Sequence, residues 1–362
     1  MNTKSIMRGE KVNPADYSAL DETLEIMAPM GPELGNGFSN HAPMAIEAMC
    51  AMRRADAVMP WFERYRHSLA PRHSRVARLT NDNWRSALGD QRRTEDWFEF
   101  FRNELEEQSW QSVLDQWAAR LAPGLMAAAT HGVIRTGHAT RALTLEDTPA
   151  RRRELADGLA YWAADYMPLP AQRHSSAPAM PSEAIAQVRM TPAEIRRANP
   201  GSLTDALAGL DSFAPFKAAL DAVDPSGDPH AFLSDLTATF ARVFLANARD
   251  TYTSIAFVHA VTGPSALRPI LPYLRDATSH SALAYAWQAA AAMYATFGTN
   301  ANLSHPDELK VGDQDELIER AIACGDEHAI KFTEVCLREH ALNPDPAFLA
   351  AADHAIRMLS AT

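Results

Sequence analysis

The chain has 362 residues, a net charge of −11, and 47% hydrophobic against 22% charged residues. That balance belongs to a globular chain with a large core, not to a disordered or membrane-embedded one. The acidic surplus argues against nucleic acid, whose phosphates need clustered Lys and Arg, and Cys50, Cys324 and Cys336 match no disulfide or zinc spacing and fit a reducing compartment.

Taken in order, residues 1–16 read as a loose arm without the apolar stretch of a signal peptide. Asp16 to Met30 has the period of an amphipathic helix, and the turn-rich GPELGNGFSN after it delivers His41. From Pro43 the run MAIEAMCAM is a strong helix former, apolar all round and therefore expected to be buried; Arg54 to Pro60 closes it. Trp61 to Arg66 starts a further helix, and Pro71 to Asp90 is a polar connection. Asp96 to Ala122 carries Trp97, Phe101, Leu105, Trp110, Leu114 and Trp117 at helical spacing until Pro123 and Gly124 end it. Met126 to Leu143 and Pro149 to Met167 follow as helices, and residues 168–184, PLPAQRHSSAPAMPSEA, read as a flexible loop or lid. Short helices at Leu203 to Leu210 and Phe213 to Ala222 lead to Phe232 to Tyr252 and Thr253 to Val261, stopped by Thr262, Gly263 and Pro264. Leu267 to Leu274, Thr278 to Phe297, Asp313 to Cys324, Asp326 to Leu342 and Pro346 to Leu359 complete the pattern. No alternating run bounded by hairpin turns appears, so the expected fold is all-α, one large multi-helix domain over residues 1–362. No apolar run approaches the roughly 18 residues of a membrane span, and a cytoplasmic location is expected.

Of the thirteen histidines, five sit beside small or apolar residues: His41, His131, His138, His259 and His328. Each alone reads as readily as a core or capping residue. Together they raise the cost of burial without partners, on the order of a few kcal/mol each, and a shared ion is an economical alternative. Imidazole suits iron, copper, nickel or zinc, and not calcium or magnesium. Lys331 lies three residues after His328 on one helical face, read either as a partner of Glu327 or Glu334 or, once neutral or converted by CO2 to a carbamate, as a ligand. Arg135 reads as an ion-pair residue or as the binder of an anionic phenolate, and Glu47, six residues after His41, as a carboxylate that orients an imidazole. The chain holds no HExxH, no His with Glu three residues before it, no P-loop, no GxGxxG and no CxxCH. Bound nicotinamide, flavin, ATP or covalent haem is therefore supported by no motif.

Four ordered stretches, GFSNHAPMAIEAM (37–49), HGVIRTGHATRAL (131–143), FVHAVTGPSAL (257–267) and DEHAIKFTEV (326–335), resemble those of the questin oxidase-like family. The resemblance implies oxidative chemistry on polyketide aromatics, by ring cleavage or Baeyer–Villiger-type oxygen insertion, with a small phenolic or quinone substrate and O2. It implies a mononuclear non-haem Fe(II) held by His41, His131, His259 and His328, with carboxylated Lys331 as a further ligand and His138 in reserve as ligand or acid–base group. Arg135 is then a catalytic candidate, and Phe38, Met44, Phe257, Tyr285 and Trp287 are candidate apolar walls. Whether NADPH serves as external reductant is open, as are the substrate and the oligomeric state. The rival readings are a non-enzymatic helical ligand-binding protein and a zinc hydrolase using the same histidines.

Overall fold

The computed structural model describes residues 16–172, 179–198, 201–303 and 313–360. Helices dominate, as expected, beside short 3-10 turns and one two-stranded antiparallel sheet. The first part runs α1 (Ser18–Met27), β1 (Met30–Leu34), α2 (Ala42–Ala51), α3 (Ala55–Tyr65), β2 (Leu69–Pro71), α4 (Thr94–Glu107), α5 (Trp110–Leu121), α6 (His131–Leu145) and α7 (Pro149–Ala164). Three short helices, α8 (Pro181–Ala184), α9 (Ala193–Ala198) and α10 (Leu203–Leu207), precede α11 (Pro229–Asn247), α12 (Thr251–Ser265) and α13 (Asp276–Phe297). The chain closes with α14 (Gln314–Cys324), α15 (Glu327–Leu342) and α16 (Pro346–Leu359).

The core places these helices by how much of their circumference is apolar. In α12 every residue from Ala256 to Ser265 is buried, and in α2 every residue from Ala42 to Cys50. Neither has a polar stripe to give to water, so both lie inside. α12 packs between α11 and α13, α15 against α2 and α16, and α6 against α7. The main core takes in the fully buried Trp97, Trp117, Trp162 and Trp287, and a second apolar cluster is formed by α1, α2 and α3 with Ile330 of α15.

Several boundaries differ from the sequence reading, each for a local reason. The first helix stops at Met27, and Met30–Leu34, read as a turn, pairs as β1 with β2. Pro60 lies inside a single α3 rather than between two helices. The aromatic stretch from Asp96 to Ala122 divides into α4 and α5 because Ser109 takes extended backbone and its hydroxyl accepts the Ser112 N–H. Helix α6 begins at His131, not Met126, since Ala128, Ala129 and Thr130 have φ of 47°, 54° and 73°. Pro264 does not stop α12, which runs one residue further, to Ser265. Of the expected lid, residues 173–178 lie outside the described ones. Its flanks are tied down, Gln172 N–H donating to Lys217 O at 2.8 Å and Ala179 pairing with Val223.

Candidate metal centre

Four helices that are buried on nearly every side each bring one histidine to a common point. His41 immediately precedes α2, His131 is the first residue of α6, His328 the second of α15, and His259 sits mid-way along α12. The loop before α2 is fixed on both sides: Tyr65 Oη accepts the His41 N–H at 2.9 Å, and Asn40 accepts from Ala42 and donates to Gly31. His131 Nε2 lies 2.5 Å from His41 Nε2 and 3.1 Å from His259 Nε2, while the His328 ring is 4.6 Å from that of His41 and 5.4 Å from that of His259. One nitrogen from each of the four falls within 4.8 Å of the others.

The opposite nitrogens decide what the group can hold. His131 Nδ1 donates to Ala128 O at 2.5 Å and His259 Nδ1 to Ile255 O at 2.9 Å; a carbonyl only accepts, so both protons sit on Nδ1. His41 Nδ1 has Glu327 Oε1 at 3.1 Å. His328 Nδ1 lies 3.4 Å from Asp326 Oδ1, too poorly aligned for a hydrogen bond. Three Nε2 lone pairs therefore face one another at 2.5 to 3.1 Å with no proton between them. Neutral imidazoles in that arrangement repel, and a shared cation removes the repulsion.

Nor does protonation offer an easy remedy. Burial pushes His41, His131 and His259 well below the ordinary imidazole value, with Lys331 and the neighbouring rings pressing the same way. Lys331 is 1% exposed, and its Nζ has no hydrogen-bond partner among the described residues. Burial lowers the Lys331 amine to about 8, although Glu327 and Asp326 oppose the shift. Neither pairing read from the sequence forms, because Glu327 serves His41 while Glu334 bonds Arg141 and Arg338. The donor set of four imidazoles suits iron, copper, nickel or zinc.

His138, two turns beyond His131 and so roughly 10 Å along the helix, stays outside this group. Its Nδ1 meets Glu47 Oε2 at 2.6 Å, within a buried charged layer. Arg141 joins Glu47 of α2 to Glu334 of α15, Tyr17 donates to Glu47 at 2.8 Å, and Arg338 reaches Glu334 and Ser265 of α12. Glu47 thus orients an imidazole, as expected, and that imidazole is His138; the carboxylate on His41 is Glu327, which the sequence reading missed. The available signal was the acidic pair Asp326–Glu327 directly before His328. Arg135 forms a two-pronged pair with Glu154 and a further bond to Asp157, leaving Nη1 without a partner among the described residues. Of the expected walls, Met44, Phe257 and Trp287 are buried, Tyr285 is half-buried and Phe38 is 63% exposed. Trp287 donates to Ala219 O at 2.7 Å and packs edge-on against Phe240, a core role.

Among the described residues no helix is long and apolar enough to cross a membrane. A family model described as questin oxidase-like matches residues 38–336, which enclose all four clustered histidines and Lys331. No curated protein matches the sequence.

Proposed function

The chain belongs to the questin oxidase-like family, and on that premise we propose that it is a non-haem iron oxygenase acting on a phenolic or quinone substrate of polyketide type. The family suggests oxidase or oxygenase chemistry on polyketide aromatics; ring cleavage or Baeyer–Villiger-type insertion is the finer reading. The observation that carries it is the set of three bare Nε2 lone pairs turned toward one another, each with its Nδ1 held by an acceptor. In this reading His41, His131, His259 and His328 hold the ion. Lys331 joins them after its neutral amine adds CO2, forming an N–C bond and releasing one proton, to supply an anionic oxygen. A buried, unpartnered amine lowered to about 8 supports that step. Bound iron would supply the electrons without which O2 reacts only slowly with a closed-shell aromatic.

The residues of the chain do the rest. Burial of the four rings keeps bulk water from the reacting centre. The free Nη1 of Arg135 is available to an anionic phenolate oxygen, its other nitrogens being anchored on Glu154 and Asp157. His138 shares a proton with Glu47 at Nδ1 and is the proposed acid–base group. Met44, Phe38, Phe257, Tyr285 and Trp287 are the proposed apolar contacts of the substrate. The test is metal analysis of protein purified without added metal, alongside His328→Ala and Lys331→Ala. Near-stoichiometric iron that both variants lose, with O2 uptake on quinones or phenols with or without NADPH, supports the proposal. Zinc with activity indifferent to oxygen favours a hydrolase, and no metal in any form favours a ligand-binding protein.

A further inference from the structure

His131 links two members of the four-histidine group, its Nε2 lying 2.5 Å from that of His41 and 3.1 Å from that of His259. What aims that ring is the backbone just before it. Ala128, Ala129 and Thr130 are three consecutive residues with side chains in the left-handed region, at φ of 47°, 54° and 73°. Such a conformation is unfavourable for every L-residue, and a run of three persists only where the surroundings enforce it. Here they do. His131 spends both of its donors on one acceptor, its N–H lying 3.2 Å and its Nδ1 2.5 Å from Ala128 O. Had the right-handed helix simply continued from Met126, the carbonyl of Ala128 would point along the axis to the N–H of residue 132 and leave the ring unanchored.

Two glycines hold the turn in its place. A Cβ on Gly132 would stand 2.5 Å from Trp162 Cα of α7, so His131 is pressed against that helix. A Cβ on Gly263 would stand 2.9 to 3.1 Å from the Oγ1, Cβ and Cγ2 of Thr130, so α12 closes on the turn one helical turn past His259. Glycine is thus used where helices must approach and not within the turn, where it would adopt positive φ without cost.

We propose that the left-handed turn Ala128–Thr130 is the positioning element of this centre, locking the proton of His131 on Nδ1 through the Ala128 carbonyl so that Nε2 is free to ligate. The proposal rests on the metal reading given above. It makes Ala128 a positioning residue that acts through its main chain, which no side-chain deletion would expose.

The test pairs a tautomer measurement with a metal titration on the full chain and an Ala129→Pro variant, whose ring fixes φ at about −65° and cannot take the left-handed turn, with Ala129→Val, which only disfavours it, as the milder substitution if that variant does not fold. Nitrogen-15 histidine spectra of metal-free protein are expected to show His131 with its proton on Nδ1 in the parent and a mixture of tautomers in the variant. Co(II) affinity, read from the cobalt absorption bands, is expected to fall about tenfold or more in the variant. Ala128→Gly/Ala129→Gly is the control: glycine takes positive φ without cost, so it is expected to keep the parent tautomer and Co(II) affinity, with an unfolding temperature at or above that of the parent. A folded Ala129→Pro or Ala129→Val variant that keeps the parent tautomer and Co(II) affinity overturns the proposal, as does a parent whose His131 carries its proton on Nε2. A parent with the Nδ1 proton that binds no Co(II) overturns the metal reading instead, and the tautomer comparison still decides the role of the turn.

Discussion

Replacing Lys331 by methionine removes the charge while keeping the length and much of the volume of the side chain. The folded amine titrates near 8 against an ordinary 10.5, a depression first of all due to burial. At about 1.4 kcal/mol per pH unit, the protonated form costs the fold roughly 3 kcal/mol at neutral pH. Between about pH 8 and 10.5 the unfolded chain holds a proton that the folded chain has released, so the stability of the metal-free protein rises with pH across that window. Lys331→Met is therefore expected to stabilise the metal-free protein at pH 7, by up to roughly 3 kcal/mol, and to flatten the rise above pH 8. Denaturant unfolding at half-unit steps from pH 7 to 10.5, with chelator present, measures both. A variant less stable than the parent at pH 7, with the rise intact, would refute the assignment of Lys331 as a buried amine without a counter-charge. The same variant should retain less metal.

Two further substitutions probe the surroundings of the site. Glu327→Gln keeps an acceptor at His41 Nδ1 but removes its charge, and is expected to weaken metal binding about tenfold by chelator competition while leaving unfolding within about 1 kcal/mol. Arg141→Met leaves buried Glu47 with only Tyr17 and His138, and Glu334 with only Arg338, and should cost about 3 to 5 kcal/mol at pH 7. Its pH dependence is the stronger check. In the parent, burial works to raise both carboxyls, but Arg141 outweighs it and holds them below their usual 4.5, so their contribution is present above that pH and is lost as acid protonates them. In the variant burial prevails and stability should improve as pH falls toward about 5; equal acid profiles for the two proteins would count against a buried charged layer.

Much of the architecture was legible because the pattern of apolar residues is itself the cause of the architecture. Runs such as MAIEAMCAM and FVHAVTGPSAL have no polar face, so they had to lie inside, and the histidines they carry had to lie inside with them. Convergence was another matter. His131 and His138 share a helical face, and only the packing of α6 on α2 and α12 separates the one that reaches its fellows from the one that meets Glu47. Glu47 was legible as the partner of an imidazole, but that the imidazole is His138 depends on the packing of α2 on α6. The left-handed turn was illegible for a different reason. Ala-Ala-Ala-Thr at 127–130 is strongly helix-forming on its own, and the glycines that force it out of the helix come from residues 132 and 263. Propensity also joined α4 to α5, because a serine cap in the middle of an aromatic stripe is a weak signal beside six well-spaced apolar residues.

The four histidines come from four separate stretches: the contacts of His131 with His41 and His259 span 90 and 128 positions of the chain, and His41 bonds Glu327, the neighbour of His328, across 286. No two of them share a helix, so no fragment or early folding unit contains even a chelating pair. In a zinc finger a few nearby ligands let the ion nucleate the fold. Here loop closure over such separations must be accomplished by the apolar core first. An ion bound at this point would act as a late inspector of assembly: it fills only a chain whose α2 and α15 have already met, and its occupancy would report the fraction of molecules that folded correctly.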